Sequence, residues 1–281
     1  MTEMQNKIDF AVVFTVENAN PNGDPLNGNR PRLDYSGRGE ISDVCLKRKI
    51  RNRMMDDGQK VFVQSDDRVD DDCKSLRDRA EKFTKEHGKL TPEAACAEWL
   101  DVRTFGQLLA FKSSGDKGVS IGIRGPVTIQ SAFSVDPVSV TALQITKSVS
   151  SETSKTGVRA SDTMGMKFRV DRGTYVTYGS INANLAKKVG FSSEDAEHLK
   201  NYLCTMFEND SSSARPDGTM AVQRVYWWVH DCANGQYSSA RVHGSVKLVA
   251  KAGVADPGLF EDYEIKETPL EGLKPEILGP F

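Results

Sequence analysis

The sequence predicts an α+β domain on a ferredoxin-like βαββαβ core that carries insertions. Three observations predict it. Residues 9–17 (Asp-Phe-Ala-Val-Val-Phe-Thr-Val-Glu) are apolar, β-branched and bounded by turn residues, which reads as a central strand. Residues 42–54 carry a helical period behind a Ser-Asp cap. Strand-like runs over 118–133, 139–149 and 164–184, a capped helix from Ser192 to about 207 and an apolar strand over 222–231 complete the succession of strand, helix, strands, helix and strand. A last strand is expected over 241–251.

The first strand opens into a long loop, Glu17-Asn-Ala-Asn-Pro-Asn-Gly-Asp-Pro-Leu-Asn-Gly-Asn-Arg-Pro-Arg-Leu-Asp34. Loops of this length are usually functional or disordered. Its Asn20, Asn22, Arg30 and Arg32, with backbone amides at glycine, suit a phosphate backbone. In the helix that follows, Leu46, Ile50 and Met54 form a stripe to be buried. Lys47, Arg48 and Arg51 fall on the far side, and Lys49 and Arg53 flank the stripe. No acid stands between Val44 and Met55, so these cations are expected to face phosphate and not to pair along the helix.

Residues 59–115 read as a helical insertion, with helices over 75–89, over 92–100 behind Pro92, and over 102–111. Its first half holds the acids Asp66, Asp67, Asp70, Asp71 and Asp72. Net charge is only −2, so the distribution matters more than the total. A cationic surface over 30–53 and acidic surfaces elsewhere would also let copies attract head to tail. Residues 150–162 are small and polar, with Lys155 and Arg159, as at the tip of a protruding hairpin. Beyond 250, Pro257, Pro269, Pro275 and Pro280 suggest an extended arm over 251–281.

With 281 residues the chain suits one large elaborated domain. Hydrophobic content of 38% and charged content of 27% read as globular, not disordered. No apolar run approaches the ~20 residues of a membrane helix. The polar start at residues 1–7 lacks the apolar core of a signal peptide. The expectation is a cytoplasmic protein with no membrane partner. Cys45, Cys73, Cys96, Cys204 and Cys232 are odd in number and form no Cys-x-x-Cys. That argues against a disulfide framework or zinc knuckle and fits a reducing compartment.

Catalysis finds little support. His87, His198, His230 and His243 stand in no metal-binding spacing. His230, Asp231 and Cys232 are adjacent on a strand, so their side chains alternate between faces and make a poor triad. There is no Gly-x-x-x-x-Gly-Lys-Ser/Thr loop. No enzyme, cofactor or metal is expected.

The loop and basic helix, then Ile123-Arg-Gly-Pro-Val-Thr-Ile-Gln130, then Met164-Gly-Met-Lys-Phe-Arg-Val170 with Gly173-Thr-Tyr-Val176, resemble the backbone subunit of CRISPR Cascade, the Cas-seven family, and most of all its type I-C branch. The resemblance runs in order from about residue 9 to 249. It implies an RNA-recognition-like palm (8–58, 116–147 and 165–250), helical fingers (59–115) and a β-hairpin thumb (148–164). It implies a non-catalytic subunit that polymerises along a CRISPR RNA, kinked at intervals by the thumb, and leaves guide bases free to pair with target DNA in antiviral defence. Partners implied are other copies of the chain, a large subunit, a Cas-five-type subunit and, indirectly, a helicase-nuclease. Contacts should go to phosphate and sugar, since any guide must be held. Lys47, Arg48 and Arg51 lead the RNA-binding candidates, followed by Arg30, Arg32, Asn20 and Asn22. Arg124 is the palm candidate, and Lys155, Arg159 and Met166 are thumb candidates. Met164, Met166 and Phe168 share a strand face and could wedge against a base or form hairpin core. Tyr175 and Tyr178 point to opposite faces, which argues against base stacking along that strand. The alternatives are a guide-precursor-processing ribonuclease of the same superfamily, with Asp24 as its candidate acid, and a structural homopolymer that needs no RNA.

Overall fold

The computed structural model describes residues 2–111, 119–146 and 164–281. Strand β1 (Ile8–Ala19) directs Phe10, Val12, Phe14 and Val16 to one face and Ala11 and Val13 to the other, and all are buried. Burial on both faces explains why this run is almost continuously apolar. The loop after it holds a two-residue ladder, β2 (Gly23–Asp24) against β3 (Arg30–Pro31). Gly28 and Asn29 turn the ladder with φ of 60° and 61°, the left-handed region that Gly and Asn tolerate best. Strand β4 (Arg38–Ile41) then leads into α1 (Asp43–Asp56), where the Ser42 hydroxyl accepts from the Cys45 N–H as N-cap. Leu46, Ile50 and Met54 are its buried stripe.

The insertion contains α2 (Leu76–His87), α3 (Pro92–Glu98) and α4 (Leu100–Phe105). Helix was expected through residue 111. Instead Gly106, at φ 80°, ends it and starts a hairpin of β5 (Gly106–Phe111) with β6 (Val119–Arg124). The backbones at Gly106 and Gly125 approach so closely that neither position has room for a Cβ. Phe62, Phe83, Trp99, Val102, Leu109 and Ile123 form a separate apolar cluster here. Ile123 carries that cluster past the expected boundary at 115.

The chain continues through β7 (Val127–Ile129), β8 (Ala132–Pro137), β9 (Val140–Thr146) and β10 (Met164–Ile181). Helix α5 (Ala183–Val189) precedes α6 (Ser193–Cys204), which opens on a capping box of Ser192 and Asp195. Strand β11 (Met220–Val229) follows, then α7 (Ser239–His243), β12 (Val246–Ala250), β13 (Tyr263–Glu267) and β14 (Glu276–Leu278). The expected strand over 241–251 therefore begins as a helical turn.

The central sheet runs β14-β11-β1-β10-β8-β4, with β7 and β9 also on β10. Its pairs are antiparallel, and β1 meets β10 from Ile8↔Ile181 to Ala19↔Val170. Helices α1, α5 and α6 pack on one face through Leu46, Ile50, Ala186, Leu199 and Leu203. The other face is not open. Val242, Val246, Leu270 and Leu273 cover Ala11, Val13, Tyr226 and Trp228 there. The tail expected as an extended arm thus folds back, forms a hairpin with β12 and adds β14 to the edge of β11. Its scattered apolar residues are what the sheet's second face requires.

Candidate nucleic-acid interface

The loop spends its asparagines internally. The Asn20 amide is buried and donates to the Asn29 carbonyl at 2.7 Å. Asn22 Oδ1 accepts from the Ser42 N–H at 2.9 Å and lies 3.0 Å from the Ser42 hydroxyl, tying the loop to the cap of α1. Asn20 is thus held inside the loop, and Asn22 is half-buried with its carbonyl oxygen committed to the cap of α1. Asp24 caps the turn at 25–27 by accepting from the Leu26 N–H, and lies 3.6 Å from Arg32. Arg30 stacks over the Phe168 ring, 4.3 Å from its centroid, which joins the loop to β10. Arg30, Arg32, Leu33 and Val140 line a small groove beside Asp24.

The helix cations are all paired. Lys47 meets Asp43 at 2.9 Å, one turn back and just outside the acid-free window. Arg53 meets Asp56, and Arg48 meets Asp67 of the insertion at 3.1 Å. Lys49 is buried against Asp210; desolvation pushes its pKa down and Asp210 opposes that shift. Arg51 bonds Asp101 at 2.8 Å, with the two side chains only 12% and 1% exposed. The expectation that these cations do not pair is corrected. The window excluded local acids, but the fold brings Asp67, Asp101 and Asp210 from distant segments. Arg51 is a strut between α1 and the insertion, and Asp101 also accepts from the Phe62 and Val63 amides. The Lys47 and Arg48 side chains retain solvent exposure.

Lys47 and Arg124 are brought together. Both line one open groove with Phe105, Gln107, Gly122 and Thr128, between the first half of α1 and the β5–β6 hairpin. The Phe105 ring lies under Lys47 and Arg51, at 5.9 and 5.2 Å from the cationic atoms. Arg124, Gly122 and Thr128 are exposed. A groove with two cations, an aromatic floor and glycine backbone can hold a phosphate and its sugar without reading a base edge. Sequence reasoning did not single out Phe105, Gln107 or Thr128. The helix end at Gly106, which swings 106–111 into a strand, was the signal that could have placed them.

At the base of the β9–β10 hairpin, Met164 and Met166 are exposed while Phe168 is buried under Arg30. The three share a face with Thr146, Gln144 and Ala142, their cross-strand partners. The expected tip with Lys155 and Arg159 lies outside the described residues.

Another polar cluster sits apart. Asp9 is fully buried and accepts from Lys7 Nζ at 2.8 Å, with His230 Nε2 also at 2.8 Å. His243 Nε2 donates to the Gly179 carbonyl at 3.0 Å. These groups staple four segments together behind the sheet and open on no groove described above. Among the described residues no group of three or more His, Cys, Asp or Glu is placed to hold a metal. No helix among them is long and apolar enough to cross a membrane.

A CRISPR-associated protein Cas7 of Haloferax volcanii is 28% identical over 241 residues, which span 74% of this chain and 66% of that relative, just under two thirds of its length. One solved chain titled as a CRISPR RNA-guided surveillance complex, pre-nicking, aligns at a TM-score of 0.49 and 15% identity, covering 80% of this chain and 78% of its own. A second, titled as a CRISPR RNA-guided surveillance complex, aligns at 0.46 and 18%, covering 89% and 78%. The family model described as CRISPR-associated protein Cas7 matches residues 6–268, nearly the whole sequence, and the chain belongs to that family.

Proposed function

We propose that this chain is a non-catalytic RNA-binding backbone subunit of a type I Cascade surveillance complex, of the I-C branch. It polymerises along a CRISPR RNA and presents the guide for pairing with target DNA. The core strands β11-β1-β10-β8, with α1 and α6 on one face, are read as the ferredoxin-like palm. Residues 59–124 are read as fingers and 148–164 as the thumb. Other copies of the chain, a large subunit, a Cas-five-type subunit and a recruited helicase-nuclease are its proposed partners.

The observation that carries this reading is the convergence of Lys47 and Arg124 on one open groove floored by Phe105. Cations delivered by two separate elements suit the phosphates of a strand of any sequence. Arg48 on α1, and Arg30 and Arg32 in the groove beside Asp24, are read as further phosphate contacts. Met166 stands exposed at the base of the β9–β10 hairpin, where it can pack on an unstacked base. Arg51, Asn20 and Asn22 brace α1 and the loop from behind.

Purified protein is first tested for retained RNA by its absorbance at 260 nm. Lys47→Glu with Arg124→Glu is then compared with wild type on several guides of unrelated sequence. A uniform loss of affinity is expected. A loss confined to particular sequences, or none, overturns the backbone-contact reading.

A further inference from the structure

The acidic segment 66–72 lies against the basic helix it follows. It is pinned at two points. Arg68 bonds Asp56 at 2.7 Å and the Asn209 carbonyl. Asp71 pairs with Arg79, whose hydrogen bonds hold its carboxyl at about 2. Just before the first pin, Asp67 holds Arg48 at 3.1 Å with Asp66 exposed next to it, and Asp70 stands exposed between the two pins. The other interactions of the helix cations differ in kind. Lys49 and Arg51 are sealed, while Lys47 and Arg53 pair with acids of α1 itself. Arg48 and Asp67 are 51% and 68% exposed. A pair this open is weak, and a phosphate oxygen competes with a carboxylate for the same guanidinium.

We propose that segment 66–72 is a built-in competitor for nucleic-acid phosphate at Arg48, an autoinhibitory contact that single-stranded RNA must displace. The proposal rests on the RNA-binding reading above. Its physical consequence is selectivity for length. A short or incidental anion meets Asp67 already in place. A long strand engages Lys47, Arg124 and the loop arginines together and supplies enough phosphates to displace it.

The test is fluorescence anisotropy with a labelled oligouridine of about 30 nucleotides, read at ~50 and ~200 mM salt. Asp66→Asn, Asp67→Asn and Asp70→Asn are combined in one variant; Asn preserves the size of each side chain, and Asp71 is left intact. A control variant removes the same charge from the exposed Glu261, Glu264 and Glu271, each changed to Gln. The aspartate variant is expected to bind about threefold to tenfold more tightly than wild type at low salt, with the gain shrinking at high salt. The control is expected to gain less than twofold, roughly the effect of a screened distant charge. Adding Arg48→Gln is expected to abolish the gain. An equal gain in the control, or a gain that survives Arg48→Gln, overturns the competitor and leaves the RNA-binding reading standing. Absence of binding by every variant at ~50 mM salt overturns both.

Discussion

Arg48 and Arg51 stand three positions apart on α1 and share a side-chain type, yet their energetics differ. Arg51 and Asp101 are both nearly out of water, so removing either leaves an unpaired buried charge. Asp101→Ala also strands the Phe62 and Val63 amides. Urea denaturation is expected to show a loss of about 3–5 kcal/mol for that change. Arg48→Ala, at an exposed pair, is expected to cost no more than about 1 kcal/mol. His243 gives a second residue-scale outcome. Burial pushes its pKa below the ordinary 6.5, and the nearby Asp9 does not reverse this. Its Nε2 hydrogen is committed to the Gly179 carbonyl. The unfolded chain therefore takes up a proton that the folded chain resists, so the contribution is full above pH 6.5 and lost as pH falls below it. Asp9 does not contribute in this window. Burial pushes its carboxyl up, but the hydrogen bonds it accepts, Lys7's foremost, bring it below the ordinary 3.8. Thermal melts between about pH 7.5 and 5 are expected to fall in wild type and to flatten in His243→Gln.

At the scale of elements, α1 was legible almost to its ends. Its stripe and its Ser42 cap follow from local rules that depend on a few neighbouring residues. What surrounds α1 was not, because its partners come from afar. Asn22 reaches Ser42 from twenty residues upstream, and Asp101 reaches Arg51 from fifty downstream. No window of sequence carries those pairings. The helix assigned to 102–111 failed for a related reason. Its residues favour a helix, but the close backbone approach of Gly106 to Gly125 imposes a hairpin, and tertiary packing prevails over propensity. The groove holding Arg124 exists only because of that hairpin. Gly125→Ala is therefore expected to disturb the hairpin and Arg124 together. Hydrogen exchange should speed at 106–111 and 119–124 while β1 stays protected.

Across the whole molecule, the decisive feature is that both faces of the central sheet are covered. Helices take one, and the C-terminal hairpin with Leu270 and Leu273 takes the other, over Tyr226 and Trp228. A sheet that bound RNA by stacking would need an open face with outward aromatics. Here Tyr175 is buried on the helix side, and Tyr178 packs with the C-terminal cluster against His243. On the proposed RNA-binding reading, affinity then comes from the grooves beside the sheet and is mainly electrostatic. The net charge of −2 makes that local, since on the proposed reading attraction comes from Lys47, Arg48 and Arg124 and not from the molecule as a whole. The salt dependence separates these two origins of affinity. Each phosphate contact on a single strand adds about 0.7 to the slope of log affinity against log salt. Changing Lys47, Arg48 and Arg124 to Ala together is expected to lower that slope by about 2, measured by titration from ~50 to ~200 mM salt. Tyr178→Leu and Trp228→Leu are expected to lower stability and leave the slope of the folded protein unchanged. A slope that follows the aromatic residues instead of the cations would place the strand on the sheet, against the packing found there.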